Sequence, residues 1–237
     1  MTTNTIDRPK VVSREEWLVA RKQHLAREKE FTRLRDQLSA ERRQLPCVKV
    51  DKPYVFEGPN GKESLADLFG GNSQLIVYHF MYGPGAKDGC TGCSFLVDHL
   101  SGPLMHLPHH DVSMVAISRA PLAEFQAFRK RMGWDFKWLS SYGTDFNFDY
   151  HVSFTKESMA KGGAYDNYQP RESEKEGESP GISVFFKDEA GDIFHTYSSY
   201  ARGLDLLVGT HNYLDLMPKG RNEASGMDWV RKHDKYV

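Results

Sequence analysis

The chain has 237 residues, with 31 Lys and Arg against 32 Asp and Glu and a formal charge of −1. Its bulk composition therefore excludes the strongly basic surface that nucleic acid or an anionic membrane would require, while its length suffices for a sizeable core in one or two domains. Three cysteines in so long a chain exclude a structural disulfide framework, and neither MTTNTIDRPK at the start nor any later run has the apolar length of a secretory signal or a membrane span. The expectation is a cytoplasmic protein with functional thiols.

In chain order, residues 1–12 read as a disordered leader and 13–45 as a helical arm. Ser13 with Glu16 three residues on fits a capping box. Trp17, Leu18, Leu25, Phe31, Leu34 and Leu38 make a sparse apolar stripe at helical spacing in a charged background. That pattern predicts a solvated helix laid on the main domain, with a homodimerisation arm as the alternative; no heptad is sustained. Residues 46–237 read as one α/β domain. Tyr54-Val55-Phe56, a turn at Gly58-Pro59-Asn60-Gly61, and Glu63 to Leu68 predict a hairpin or strand running into a helical turn.

The stretch from Gln74 to Leu100 organises the rest. Leu75 to Phe80 is a short, β-branched and aromatic run that predicts a buried strand. Gly83, Pro84, Gly85 and Gly89 force a turning loop, and Cys90 and Cys93 follow at the start of a helix carrying Leu96, Val97 and Leu100. A cysteine at a helix start faces unpaired backbone N–H groups, which favour its thiolate. A second cysteine one turn in is close enough to attack a mixed disulfide formed at the first. Cys90 is thus the candidate nucleophile and Cys93 the candidate resolving thiol, with Thr91 and Gly92 between them. The helix is expected to break at Gly102-Pro103.

Val112 to Ile117 predicts a second buried strand. A helix after Pro121 carries Leu122, Phe125, Phe128 and Met132, and Phe136 to Leu139 is a third, parallel strand. Alternation of strand and helix argues for right-handed crossovers and a sheet covered on both faces. Residues 155–181 read as a polar surface insertion, and Ile182 to Phe186 with Ile193 to Tyr197 as an antiparallel hairpin. Leu204, Leu207, Val208 and His211 predict a helix; Met227, Trp229 and Val230 predict a docked last short helix.

Cys90, Cys93, His106 and His110 also match a generic zinc-finger spacing. Pro103 and Pro108 would interrupt the histidine-bearing helix, so no metal site is expected. His79, in the strand before the motif, is a candidate proton acceptor for Cys93 or a core histidine satisfied by one hydrogen bond. Tyr82, Asp149, Tyr150, Tyr197, Tyr200 and Arg202 are candidates for lining a pocket around the dithiol.

Cys90-Thr-Gly-Cys93-Ser-Phe, Ser118-Arg-Ala-Pro-Leu122, Lys130-Arg-Met-Gly-Trp134, SYGTDFNFDYHVS (141–153), FHTYSSYARGLD (194–205) and MDWVRKHDKY (227–236) resemble the bacterial domain-of-unknown-function family 899. The resemblance covers nearly the whole chain from about Val12. It implies a thioredoxin-like fold of the extended, peroxiredoxin-like kind: a central mixed β-sheet flanked by helices, with the N-terminal helical arm added. Members are described as thioredoxin-like dithiol–disulfide oxidoreductases, so the resemblance implies a protein or small-molecule disulfide as partner and no bound cofactor beyond the cysteine pair. Similar sequences often carry Pro where this chain has Thr91, and Trp where it has Cys47. Comparison with thioredoxin proper implies a proline beside the dithiol just before the first strand of the second half; Pro180, one position early, is the candidate. Peroxiredoxins share the extended fold and complete their site with an Arg, which makes Arg119 a candidate and a thiol peroxidase the alternative activity. A non-catalytic binding module on the same fold is the reading from another class.

Overall fold

The computed structural model describes residues 9–160, 165–171 and 175–236. Ser13 caps helix α1 (Arg14–Arg42) as expected: its hydroxyl accepts the Glu16 N–H while the Glu16 carboxylate accepts the Ser13 N–H. Residues 9–12 before it are exposed, and the remainder of the expected leader lies outside the described residues. The helix is not laid on the domain. None of its residues is buried, and Trp17, Phe31 and Leu34 stay more than half exposed. Six scattered apolar residues do not close into the continuous face that packing requires. At its C-terminal end Arg42 reaches the domain, its guanidinium 4.8 Å above the Tyr197 ring.

Strand β1 (Val48–Lys49) is followed by the hairpin β2 (Val55–Gly58) and β3 (Gly61–Ser64), then by a 3₁₀ turn at Asp67–Phe69 and strand β4 (Gln74–His79). Helix α2 (Thr91–Val97) begins directly after Cys90. The break comes earlier than expected, around Asp98 to Leu100, and Gly102-Pro103 fall within the first turn of a separate helix α3 (Ser101–His106). There proline's missing N–H has no intrahelical acceptor to lose, so it opens a helix rather than ending one. Then come β5 (Val112–Ser118), α4 (Leu122–Arg131) and β6 (Trp138–Ser140); Phe136 is buried but precedes the strand.

The segment read as an insertion, with α5 (Phe146–Asp149) and β7 (Ser153–Phe154) ahead of it, holds short elements: α6 (Lys156–Ala160), the hairpin β8 (Tyr165–Asp166) and β9 (Gln169–Pro170), and β10 (Gly177–Glu178), which pairs with β7. Residues 161–164 and 172–174 of it lie outside the described residues. β11 (Gly181–Lys187) and β12 (Ile193–Tyr200) form the expected antiparallel hairpin. The helix expected after it is split into a 3₁₀ stretch, Ala201–Leu207, and α7 (Gly209–Leu214). The tail docks through Val230, buried, and the partly buried Met227 and Trp229, yet residues 224–231 hold a bend and a turn rather than a helix.

One eight-stranded sheet runs in the order β1-β12-β11-β4-β5-β6-β2-β3. Pairs β4–β5 and β5–β6 are parallel and the others antiparallel. This is the thioredoxin-like arrangement: β4-α2-β5 with α4 and β6, then β11-β12 with α7, extended by the β2–β3 hairpin at one edge. Alternation along β4 divides the core in two. Leu75 and Val77 pack with Phe146 and Phe185, whereas Tyr78 and then Phe80 pack with Cys93, Phe128 and Trp138 on the opposite face. Among the described residues no helix is long and apolar enough to cross a membrane.

Candidate active site

The C-terminal end of β4, the loop of residues 80–89 and the start of α2 set the dithiol. The loop is pinned at three points. Gly85 N–H donates to Glu124 Oε2 at 2.7 Å, the Tyr82 hydroxyl donates to the Glu124 carbonyl at 3.1 Å, and Gly89 packs closely against the Phe128 ring. A Cβ at Gly89 would stand 2.3 Å from that ring, so only glycine lets the chain pass there.

Cys90 is the N-cap residue of α2, half-buried, and its Sγ accepts the Cys93 N–H at 3.4 Å. Cys93 is 2% exposed, and its Sγ accepts the Met81 N–H at 3.4 Å. Both are free thiols, as is the exposed Cys47 before β1. The two thiols of the motif differ sharply. A hydrogen bond from the Cys93 thiol is the largest influence on Cys90. The Cys93 and Gly92 backbone N–H groups and the Lys232 charge add to it against partial burial, and the Cys90 pKa falls to about 6. Burial pushes the Cys93 thiol far up, and the neighbouring Cys90 adds to this. The pair is therefore built as one ready thiolate over one sealed thiol.

Two groups that complete this site were not singled out from the sequence. The Tyr78 hydroxyl hydrogen-bonds with the Cys93 thiol, and burial and that contact raise its own pKa. Lys232, from the docked tail, is held by Asp88 at 2.9 Å and lies 6.0 Å from the Phe128 ring centre. Alternation along β4 carries the signal for Tyr78: one face of the strand meets the dithiol, and Tyr78 and Phe80 are on it. Nothing local in the sequence points to Lys232.

His79, one residue on, therefore faces the other core. It is 1% exposed, hydrogen-bonded to Ser183 Oγ at 2.8 Å, and stacks on Tyr150. Burial, then His195, hold its pKa near 3, so it is a neutral core histidine rather than a proton acceptor for Cys93. Tyr82 is 2% exposed and packs against Phe125 and Phe128, a core role. Arg119 is paired with Glu178 at 2.7 Å, and its guanidinium carbon lies 5.5 Å from the Phe148 ring centre. The Glu178 carboxylate also accepts from Ser153 and abuts Gly83 of the loop. Pro180 precedes Gly181, which pairs with His79 at the end of β4 nearest the dithiol. Thr91 opens α2, and Gly92 meets the tail: a Cβ there would stand 3.3 Å from Met227 Sδ and 3.9 Å from Cys90 Sγ. Of the other pocket candidates, Tyr150 belongs to the core around Phe185, and Tyr197 and Tyr200 line a cavity on the β12 side. Arg202 lines that cavity and also one beside Met227.

The family described as bacterial protein of unknown function, DUF899, matches residues 6–236. No curated protein sequence matches the chain. Among solved structures the chain is similar to PrxQ of Xylella fastidiosa, at 11% identity over 71% of this chain and 94% of that one, with a TM-score of 0.45. It is similar to the peroxidoxin BcpB of Mycobacterium tuberculosis at 12% identity, 70% and 95% coverage and a TM-score of 0.44. Peroxiredoxin Q of Xanthomonas campestris gives 14% identity, 70% and 93% coverage and a TM-score of 0.42.

Proposed function

We propose that this chain, which belongs to the bacterial family of unknown function DUF899, is a thioredoxin-like dithiol–disulfide oxidoreductase in which Cys90 attacks and Cys93 resolves. The single observation that carries the reading is the asymmetry of the pair: a half-buried thiol with a pKa near 6 resting on a buried thiol pushed the other way. At neutral pH Cys90 is largely thiolate, the form that attacks a disulfide sulfur. The attack forms a mixed disulfide and releases one substrate sulfur as a thiolate. Once Cys90 is covalently bound its negative charge is gone, which removes one of the causes that hold the Cys93 proton in place. Cys93 then ionises, attacks Cys90 Sγ and expels the second substrate sulfur. The Tyr78 hydroxyl and Met81 N–H stabilise the Cys93 thiolate at that moment.

The dithiol is the electron carrier, so this reading needs no bound cofactor. It takes a protein or small-molecule disulfide as partner and a reducing, cytoplasmic setting that keeps the pair as thiols. Its test is trapping on non-reducing gels. Cys93→Ser accumulates mixed disulfides, Cys90→Ser accumulates none, and Cys47→Ser behaves as the parent. Trapping by Cys90→Ser, or by no variant, refutes the assigned roles. Peroxide consumption through Cys90 with no disulfide reduction would make the protein a thiol peroxidase instead.

A further inference from the structure

The Met227 wall of the dithiol has a second side. Met227 also lines a cavity of about 610 Å³ bounded by Arg202, Asp205, His211, Arg221 and Glu223. Most of these charges are matched. Arg221 donates to Asp215 at 2.8 and 2.9 Å and to Asp205 at 3.1 Å. Two features stand out. The His211 side chain is 1% exposed, yet among the described residues neither ring nitrogen has a hydrogen-bond partner. Buried polar groups in native proteins are nearly always paired, so an orphaned imidazole lining a cavity points to an absent partner. Arg202, at the rim, is 86% exposed, and its hydrogen bonds among the described residues are those of 3.2 and 3.3 Å to Asp205.

The geometry between His211 and Glu223 specifies the partner. His211 Nε2 and Glu223 Oε1 are 3.9 Å apart, too far for a hydrogen bond to each other. One ammonium group between them, at ordinary donor distances, would serve both. Three carboxylates against two guanidinium groups leave one negative charge in excess around a neutral ring, which favours that cation. Arg202 at the rim offers the matching site for a carboxylate. Met227, in the cavity lining, is also the residue nearest Gly92 beside the thiol: a Cβ at Gly92 would stand 3.3 Å from Met227 Sδ and 3.9 Å from Cys90 Sγ.

From this we infer that the cavity holds one end of a small zwitterionic disulfide, its ammonium between His211 and Glu223, its carboxylate on Arg202, and its sulfur delivered past Met227 to Cys90. The inference rests on the oxidoreductase reading and names its substrate class. Cys90 thiolate bonds to one ligand sulfur and the other leaves; Cys93 then bonds to Cys90 and expels the first. The ligand disulfide gains two electrons and two protons, one from Cys93 and one from solvent, and becomes two thiols. The cysteine pair loses the two electrons, and an external small dithiol restores it.

The test uses the full-length reduced protein with dithiothreitol as reductant and four disulfides: cystine, cystamine, 3,3′-dithiodipropionate and neutral bis(2-hydroxyethyl) disulfide. Each kcat/KM is divided by that for the neutral compound, and variants are compared with the parent, which cancels differences in leaving-group reactivity. Arg202→Ala is expected to lower the ratio about tenfold for cystine and dithiodipropionate but not for cystamine. Glu223→Gln keeps the acceptor for Trp229 and is expected to lower it about tenfold for cystine and cystamine but not for dithiodipropionate. Ratios unchanged in both variants, or lowered alike for all three charged compounds, overturn the inference. Cys90-dependent reduction of the neutral disulfide reports the underlying oxidoreductase reading separately. If it persists while the ratios do not move, only the substrate class has failed.

Discussion

Replacing Cys93 by Ala removes the largest influence on the Cys90 thiol, the hydrogen bond from its partner. The fall from an ordinary 9.0 to about 6 amounts to roughly 4 kcal/mol of preference for the thiolate. At pH 7 the parent Cys90 is therefore about nine-tenths ionised, whereas a thiol near 9 would be about one-hundredth ionised. The backbone N–H groups and Lys232 remain in Cys93→Ala, so its midpoint moves part of the way back, and Cys90 alkylation at pH 6 slows at least about fivefold. Cys93→Ser keeps a hydroxyl donor at the same place and retains most of the depression. Iodoacetamide rates from pH 4 to 9, read by mass spectrometry of the Cys90 peptide, give both midpoints. The same shift has a sign in stability. A folded-state pKa below the unfolded one adds stability that is fully present above the unfolded thiol range and is lost as pH falls through about 6. Denaturation of the reduced parent thus shows a slope across that window that Cys93→Ala flattens. A parent midpoint near 9, or equal midpoints in the parent and Cys93→Ala, refutes the argument.

Tyr78→Phe leaves the fold intact at a cost of about 1 kcal/mol, and lengthens the life of the mixed disulfide severalfold in stopped-flow quenching because Cys93 loses a group that favours its thiolate. Gly89→Ala drives a methyl into the Phe128 ring and lowers stability by about 1–3 kcal/mol in urea melts. In Arg119→Ala, Glu178, whose side chain is 9% exposed and whose pKa burial already raises, loses its cation. The variant should unfold about 2–3 kcal/mol more easily at pH 7. That deficit shrinks as pH falls through the further-raised carboxyl pKa, because protonation removes the unpaired charge; an equal deficit at pH 7 and pH 4 counts against the pairing.

The dithiol was legible because everything that makes it is local: an apolar strand, glycines that turn the chain, and two cysteines one helical turn apart. Of the two readings of His79, the structure has the core histidine held by one hydrogen bond, while Tyr78 beside it, alternating with Phe80, lies on the dithiol's face, because in a strand one residue is the opposite face. Arg119 is a candidate by analogy with peroxiredoxins, but its partner Glu178 sits in a segment that reads as an insertion, so the ion pair between them has no sequence signal. Lys232 and Met227 come from the far end of the chain, and only the folded tail brings them to Gly92 and Asp88. The proline at 103 illustrates a different limit, since the same residue ends a helix from within and begins one from its first turn.

Helix α1, all of whose residues lie outside the core, has a thermodynamic life of its own. At 29 residues it is about 43 Å long. Its order comes from its capping box, its strong helix formers and side-chain bridges such as Arg21–Glu28 and Gln37–Glu41, because no buried face ties it to the sheet. Its backbone amides accordingly exchange with solvent deuterium by fraying from the ends, with low opening free energies that denaturant barely changes. The amides of β4, β5 and β11 exchange only when the whole sheet opens. A protease that cuts after Arg or Lys removes the arm under conditions in which the sheet resists, and the melting temperature of what remains stays close to that of the full chain.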